Sequence, residues 1–231
     1  MRYIERLNWD SIFFELEIGK IDYSNKFHES YIYEINKSKY DLIYIFNSIN
    51  NSYSKLLNSQ LVDTKFNFRK ILNAEDTFFI DHNIAFFNSN IPSKSIIDLC
   101  IASGEYSRFK LDLNFKSDAF LNLYTAWITN ALKRIKHEKI IIYSIKNKIV
   151  GLLILSFKVQ FSVIEILAVD KEYRGKGIAK KLINTACKET ILNNFKEIRV
   201  ATQKKNLPSS KLYTSCGFEL FEVVDIYHLW L

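Results

Sequence analysis

The chain has 231 residues, 48% of them hydrophobic, with 32 Lys and Arg against 25 Asp and Glu, enough apolar material for one large domain or two small ones. Two prolines and six glycines leave no low-complexity linker, and no apolar run approaches the length needed to cross a bilayer. The start, with Arg2, Glu5, Arg6 and Asp10, lacks the apolar centre of a signal peptide, so a cytoplasmic protein without membrane insertion is expected.

Charge is uneven along the chain. Residues 1–90 hold 10 Lys/Arg and 12 Asp/Glu, a net −2, whereas residues 91–231 hold 22 and 13, a net +9. Either the second part binds anions, or a Lys-rich composition solvates its surface. There is no clustered basic helix and no recognisable nucleic-acid module, so nucleic acid is not an expected partner. Cys100, Cys187 and Cys216 are isolated, which indicates neither a disulfide framework nor a zinc site; no metal is expected. His28, His82, His137 and His228 show no spacing that suggests catalysis.

Taken in order, Leu42 to Phe46 reads as a strand, Ser52 to Asn58 as a helix and Phe66 to Ile71 as another strand. Ile84 to Phe87 is a short strand, and Ser93 to Ala102 a helix opened by Pro92. Phe120, Tyr124, Trp127, Ile128 and Ala131 form one apolar helical stripe. Lys139 to Ile145 and Ile149 to Leu155 read as a hairpin about Lys146-Asn147-Lys148. Val163 to Val169 is nearly all apolar, which suits a strand covered on both faces.

Asp170-Lys171-Glu172-Tyr173 breaks that run, and Arg174-Gly175-Lys176-Gly177-Ile178-Ala179 follows. Without side chains at Gly175 and Gly177, successive backbone N–H groups can turn toward one anion at the start of a helix, where the macrodipole also favours negative charge. Arg174 and Lys176 add positive charge. Downstream, Ile178, Leu182, Ile183, Ala186 and Cys187 share one helical face. The phosphate loop of nucleotide-hydrolysing enzymes and the three-glycine dinucleotide fingerprint are both absent. Ile198 to Thr202 is then a strand, Pro208 opens a short helix to Ser215, and Gly217 ends it.

The glycine loop, followed by Asn206, Tyr213 and Gly217-Phe218, resembles the GCN5-related N-acetyltransferase (GNAT) superfamily. The resemblance implies an α/β GNAT fold, a mixed central sheet flanked by helices, and acetyl-CoA as co-substrate. It also implies that Arg174, Gly175, Lys176, Gly177, Ile178 and Ala179 cradle the pyrophosphate, and that Asn206 contacts the pantetheine arm. The backbone of Leu167 and Val169 would pair with that arm in a V-shaped opening between the Val163 and Ile198 strands. Tyr213 would protonate the departing thiolate. Arg199-Val200-Ala201-Thr202-Gln203, Ser107-Arg108-Phe109, the Tyr124 to Leu132 helix and Leu7-Asn8-Trp9-Asp10-Ser11 with Phe13-Phe14 are similar to the TDP-fucosamine acetyltransferases. Those enzymes N-acetylate TDP-4-amino-4,6-dideoxy-galactose for surface polysaccharides such as lipopolysaccharide, which makes a nucleotide sugar the expected substrate.

Glu165 is the only acid within its apolar strand, so it is either the general base, acting through a water, or an edge residue. Arg108 and Tyr124 are either acceptor contacts, a clamp on a diphosphate and a stacking ring, or a surface charge and a core aromatic. A protein N-terminus, a lysine or a polyamine is the alternative acceptor, and a non-catalytic CoA-binding module the alternative function. Sliding residues 41–66 by 156 positions places Asn50 on Asn206, Ser54-Lys55-Leu56 on Ser210-Lys211-Leu212 and Ser59 on Ser215, five identities. Residues 1–80 are therefore read as a smaller α/β domain, either a degenerate partial GNAT repeat with Leu57 in place of Tyr213 or a chance likeness, and residues 81–231 as the catalytic domain. The first domain either contacts a larger acceptor or serves a homodimer.

Overall fold

The computed structural model describes residues 4–23, 35, 39–48, 59–133 and 138–231, and both strands and helices occur along them. The expected Ser52 to Asn58 helix, with Asn50 and Leu57, lies outside the described residues, as do His28 and His137. The chain divides into two units: Met1–Phe66 with Gln203–Lys205 and Glu222–Leu231, and Asn67–Thr202 with Asn206–Phe221. Each is built from non-contiguous segments.

In the first unit, β1 (Glu5–Arg6), α1 (Asn8–Phe14), β2 (Ile18–Tyr23) and β3 (Leu42–Ser48) are followed by the start of β4 (Gln60–Ile71) and completed by the end of β10 (Glu219–Trp230). β1 pairs antiparallel with β2, β2 parallel with β3, and β3 antiparallel with β10 from Ser48↔Val224 to Leu42↔Trp230. β2 and β3 are in register along the whole of β2, from Ile18↔Leu42 to Tyr23↔Asn47. Ile4, Ile21, Ile35, Ile43, Ile45 and Leu229 bury together against this sheet, and each such side chain contributes about 1.5–3 kcal/mol of transfer free energy.

The second unit holds β5 (Ile84–Phe86), α2 (Lys94–Ser103), α3 (Arg108–Leu111), α4 (Ala119–Lys133), β6 (Glu138–Ile145), β7 (Lys148–Phe157), β8 (Ser162–Val169), α5 (Ile178–Leu192), β9 (Glu197–Gln203) and α6 (Leu207–Ser215). Its strands run in the order β9-β8-β7-β6-β5, antiparallel throughout except for the parallel β8–β9 pair. Lys146 and Asn147 take positive φ, 47° and 65°, the two-residue turn whose twist matches a hairpin. β7 is buried from Val150 to Ser156; with period-two side chains, that requires cover on both faces. α2 and α5 both pack on it.

α5 buries Ile178, Leu182, Ile183, Ala186 and Cys187, the face read from the sequence. β8 differs from expectation. Its burial alternates strictly, with Ile164, Ile166 and Ala168 inside and Val163, Glu165, Leu167 and Val169 half-exposed, and at its end Leu167 and Val169 border a cavity. Burial pushes the thiols of Cys100 and Cys187 up to about 12, so both are protonated core groups. No helix of the described residues is long and apolar enough to cross a membrane.

Candidate active site

Two irregularities in β8 open the site. First, β8 and β9 pair only at Ser162↔Ile198, Val163↔Arg199 and Ile164↔Val200, although both strands run on, to Val169 and Gln203. Second, the β7–β8 register slips between Ile154↔Ile166 and Leu155↔Ile164, leaving Glu165 as the extra residue of a β-bulge, and a bulge increases local twist and bends its strand. The two strands therefore part just beyond the bulge.

The ladder with β7 fixes which backbone groups face the gap. Asp170 N–H donates to the Val150 carbonyl at 2.9 Å, so the residue after β8 points its amide at β7. By the alternation of an antiparallel ladder, the amides and carbonyls of Leu167 and Val169 face the gap. Arg174 Nε already donates to the Val169 carbonyl at 3.1 Å.

The loop after β8 makes the next wall. Asp170 caps the single turn Lys171–Tyr173 through a 3.1 Å bond from Glu172 N–H. Gly175 and Gly177 then take φ of 76° and 75°, and a Cβ at either would meet nothing within 4 Å. Glycine is demanded here by the left-handed backbone, not by crowding. Gly177 is the N-cap of α5, whose first intrahelical bond runs from Lys181 N–H to Gly177 O at 3.2 Å. The amides of Ile178, Ala179 and Lys180 precede that bond and carry the positive end of the dipole.

These walls enclose a cavity of about 590 Å³, within the range that holds small-molecule ligands. Leu167, Val169, Arg174, Gly175, Gly177, Ile178, Ala179 and Asn206 line it, eight residues singled out in the sequence. Lys176 does not; its Nζ sits 4.7 Å from the Tyr173 ring, and Tyr173 lines the cavity. Asn206 accepts from Ser209 N–H at 3.2 Å through Oδ1, capping α6 and leaving its amide N–H₂ as the donor for the cavity.

Other sequence candidates stand elsewhere. Tyr213 is 5% exposed, with its ring 5.8 Å from Phe68 and 5.9 Å from Phe218; its neighbour Leu212 lines the cavity. Burial raises the phenol above its ordinary range, so it is protonated at neutral pH. Glu165 does not line the cavity: its carboxylate accepts from Ser156 Oγ at 2.5 Å and pairs with Lys158 Nζ at 2.9 Å. Arg108 stacks on Phe109 at 4.4 Å. Tyr124 is a core residue on α4, 4.8 Å from Phe120. Its ring supports the loop after α2, because a Cβ on Gly104 would come within 2.4 Å of Tyr124 Cζ. That close approach carries Glu105 and Tyr106 into the cavity lining with Ala102 and Ser103. Sequence reasoning missed this wall, since the helix end Ser103-Gly104-Glu105 has no pattern that separates it from any other.

Residues 106–218 match the sequence model of the Acetyltransferase (GNAT) family. The chain has the α/β GNAT fold over its described residues, a mixed sheet flanked by helices, and GNAT acetyltransferases use acetyl-CoA and an acceptor. It is similar to streptothricin acetyltransferase of Escherichia coli, 42% identical over 25% of this chain and 33% of that protein. It is also similar to the spore coat polysaccharide biosynthesis protein SpsD of Bacillus subtilis, 23% identical over 66% of this chain and 54% of that one. Among solved structures, the tandem GNAT protein from the clavulanic acid biosynthesis pathway superposes with a TM-score of 0.54 at 9% identity, over 84% of this chain and 66% of that chain. The chain spans between 31% and 54% of the length of the curated relatives it matches.

Proposed function

We propose that this protein transfers the acetyl group of acetyl-CoA to the 4-amino group of a nucleotide-linked 4-amino-4,6-dideoxyhexose destined for surface polysaccharide. The observation that carries acetyl transfer is the split between β8 and β9, with a helix N-terminus on one wall and outward-facing strand amides on the other. Similarity to a polysaccharide biosynthesis protein supports the sugar acceptor.

The residues present fit acetyl-CoA. The amides of Ile178, Ala179 and Lys180, with Arg174 and the Lys180 ammonium, offer the charge and the donors a pyrophosphate requires. The free amides of Leu167 and Val169 and the carboxamide nitrogen of Asn206 match the two peptide bonds of a pantetheine arm, and the open space at Gly175 and Gly177 leaves room for close approach. When bound, acetyl-CoA supplies an activated thioester. The protein holds that thioester and the amine in one cleft, so that positioning supplies much of the acceleration. Tyr213, next to Leu212 of the cavity lining, donates to the departing sulfur in this reading. Residues 1–80 are a degenerate partial GNAT repeat in this reading, which the likeness to a tandem GNAT protein supports.

The test is to mix the purified protein with acetyl-CoA and a panel of TDP- and UDP-linked 4-amino-4,6-dideoxyhexoses, following thiol release and product mass. One acetyl group gained by one sugar is the expected result. Acetyl-CoA binding with no sugar turned over, against turnover of a peptide or polyamine, removes the sugar.

A further inference from the structure

We propose that Glu105 binds the cationic amine of the acceptor and takes its proton. This rests on the acetyl-transfer reading of the same cavity. Among the described residues that line the cavity, Glu105 is the only carboxylate. The opposite character belongs to the α5 wall, where Arg174, Lys180 and the helix amides stand. A cavity with one cationic wall and a single acid suits a ligand pair that carries phosphate on one partner and an ammonium on the other.

The position of Glu105 is built. α2 ends at Ser103, and Gly104 lies so close to α4 that any side chain there would meet Tyr124 and Phe120, at 2.4 and 2.7 Å. Ser107 N–H closes the turn onto the Gly104 carbonyl at 2.9 Å. Glu105 stands inside that turn, is exposed, and lines the cavity. Glu165, the other carboxylate considered for this role, is held away by Ser156 and Lys158.

The step balances. The ammonium gives one proton to the Glu105 carboxylate, and the freed lone pair forms the C–N bond at the thioester carbonyl carbon. The C–S bond breaks with its electron pair on sulfur. A second nitrogen proton is lost as the amide forms; one of the two protons ends on the thiol, by way of Tyr213, and the other leaves through Glu105 to solvent.

The experiment compares E105Q, E105D and E165Q with the wild type, on whichever amine from the sugar, peptide and polyamine panel turns over. E105Q is expected to lower acceptor kcat/KM about 100-fold, the scale of one general base, while the KM for acetyl-CoA moves less than about twofold. Its kcat/KM should climb about tenfold per pH unit up to the pKa of the amine, because only free amine then reacts, whereas the wild type stays flatter near neutrality. E105D should recover part of the rate. An E105Q profile that overlays the wild type, or the same shift seen in E165Q in its place, overturns the assignment. A peptide or polyamine acceptor with the E105Q effect intact removes the sugar and keeps Glu105; no turnover of any amine despite acetyl-CoA binding removes both.

Discussion

Two parallel strand pairs in this protein are built alike and end differently. In the first unit β1, β2 and β3 run antiparallel then parallel, as do β7, β8 and β9 in the second. Yet β2 and β3 are paired along all of β2, whereas β8 and β9 part after three residues. A zipped pair satisfies its own amides and leaves no room for a ligand. A split pair forgoes ladder bonds worth about 0.5–1.5 kcal/mol each and presents those groups to whatever enters. The glycines follow the same division: Gly19 is the only glycine in residues 1–80, while Gly175 and Gly177 mark the mouth of the split. One pair contributes stability; the other borders a cavity.

The comparison can be broken at the split first. Gly177→Val forces a β-branched residue toward positive φ and turns the α5 amides aside. Losing two hydrogen bonds to a charged group at about 2 kcal/mol each should weaken acetyl-CoA binding about 1,000-fold by calorimetry. The zipped unit should respond in the opposite way. Ile43→Ala leaves a cavity in its core and should cost about 2–5 kcal/mol in denaturant unfolding without changing the KM for acetyl-CoA; a large change in that KM would show that the two pairs do not divide stability from binding.

Tyr213→Phe separates chemistry from packing. Because the phenol is buried between Phe68 and Phe218, the phenyl ring fits and the melting temperature should hold, while kcat falls about 100-fold through loss of the proton donor. An unchanged kcat removes Tyr213 from the mechanism.

The smallest effect concerns the support behind α5. Lys181 Nζ pairs with the buried Asp81 carboxylate at 2.7 Å and lies 3.3 Å from the Tyr143 hydroxyl. Its hydrogen bond, helped by Asn83, holds the Asp81 carboxyl well below the usual range against the opposing effect of burial. A depressed folded pKa stabilises the protein above the unfolded pKa, near 4, and the contribution fades as pH falls toward the folded value. Lys181→Met should therefore lower the melting temperature by about 2–4 °C near neutrality, with the difference narrowing below about pH 4. A gap that widens in acid would refute this assignment.

Much of the site was legible because its physics is local. The turn before α5 needs the missing side chains of Gly175 and Gly177, and an amphipathic period places Ile178 and Leu182 inside; each is a constraint between near neighbours in the chain, whereas Asn206 was picked out only by the family resemblance. Glu105 was not legible, because its place depends on Gly104 meeting Tyr124, twenty residues on. Nor could β8 be told from a fully covered strand, since a run lined by cavity on one face is as apolar as one lined by helices.

By itself, then, the sequence determined most of the strands and helices of the second unit and the glycine turn before α5, which follow from short-range periodicity and backbone preference, while the α/β GNAT fold came from the resemblance of its motifs to that superfamily. Only the tertiary structure decided where β8 and β9 part, that Glu165 is held by Lys158 while Glu105 borders the cavity, that Tyr213 is enclosed by Phe68 and Phe218, and that Glu222–Leu231 returns to the first unit. Those outcomes depend on contacts between residues far apart in the chain, and no local preference encodes which distant side chain will meet another.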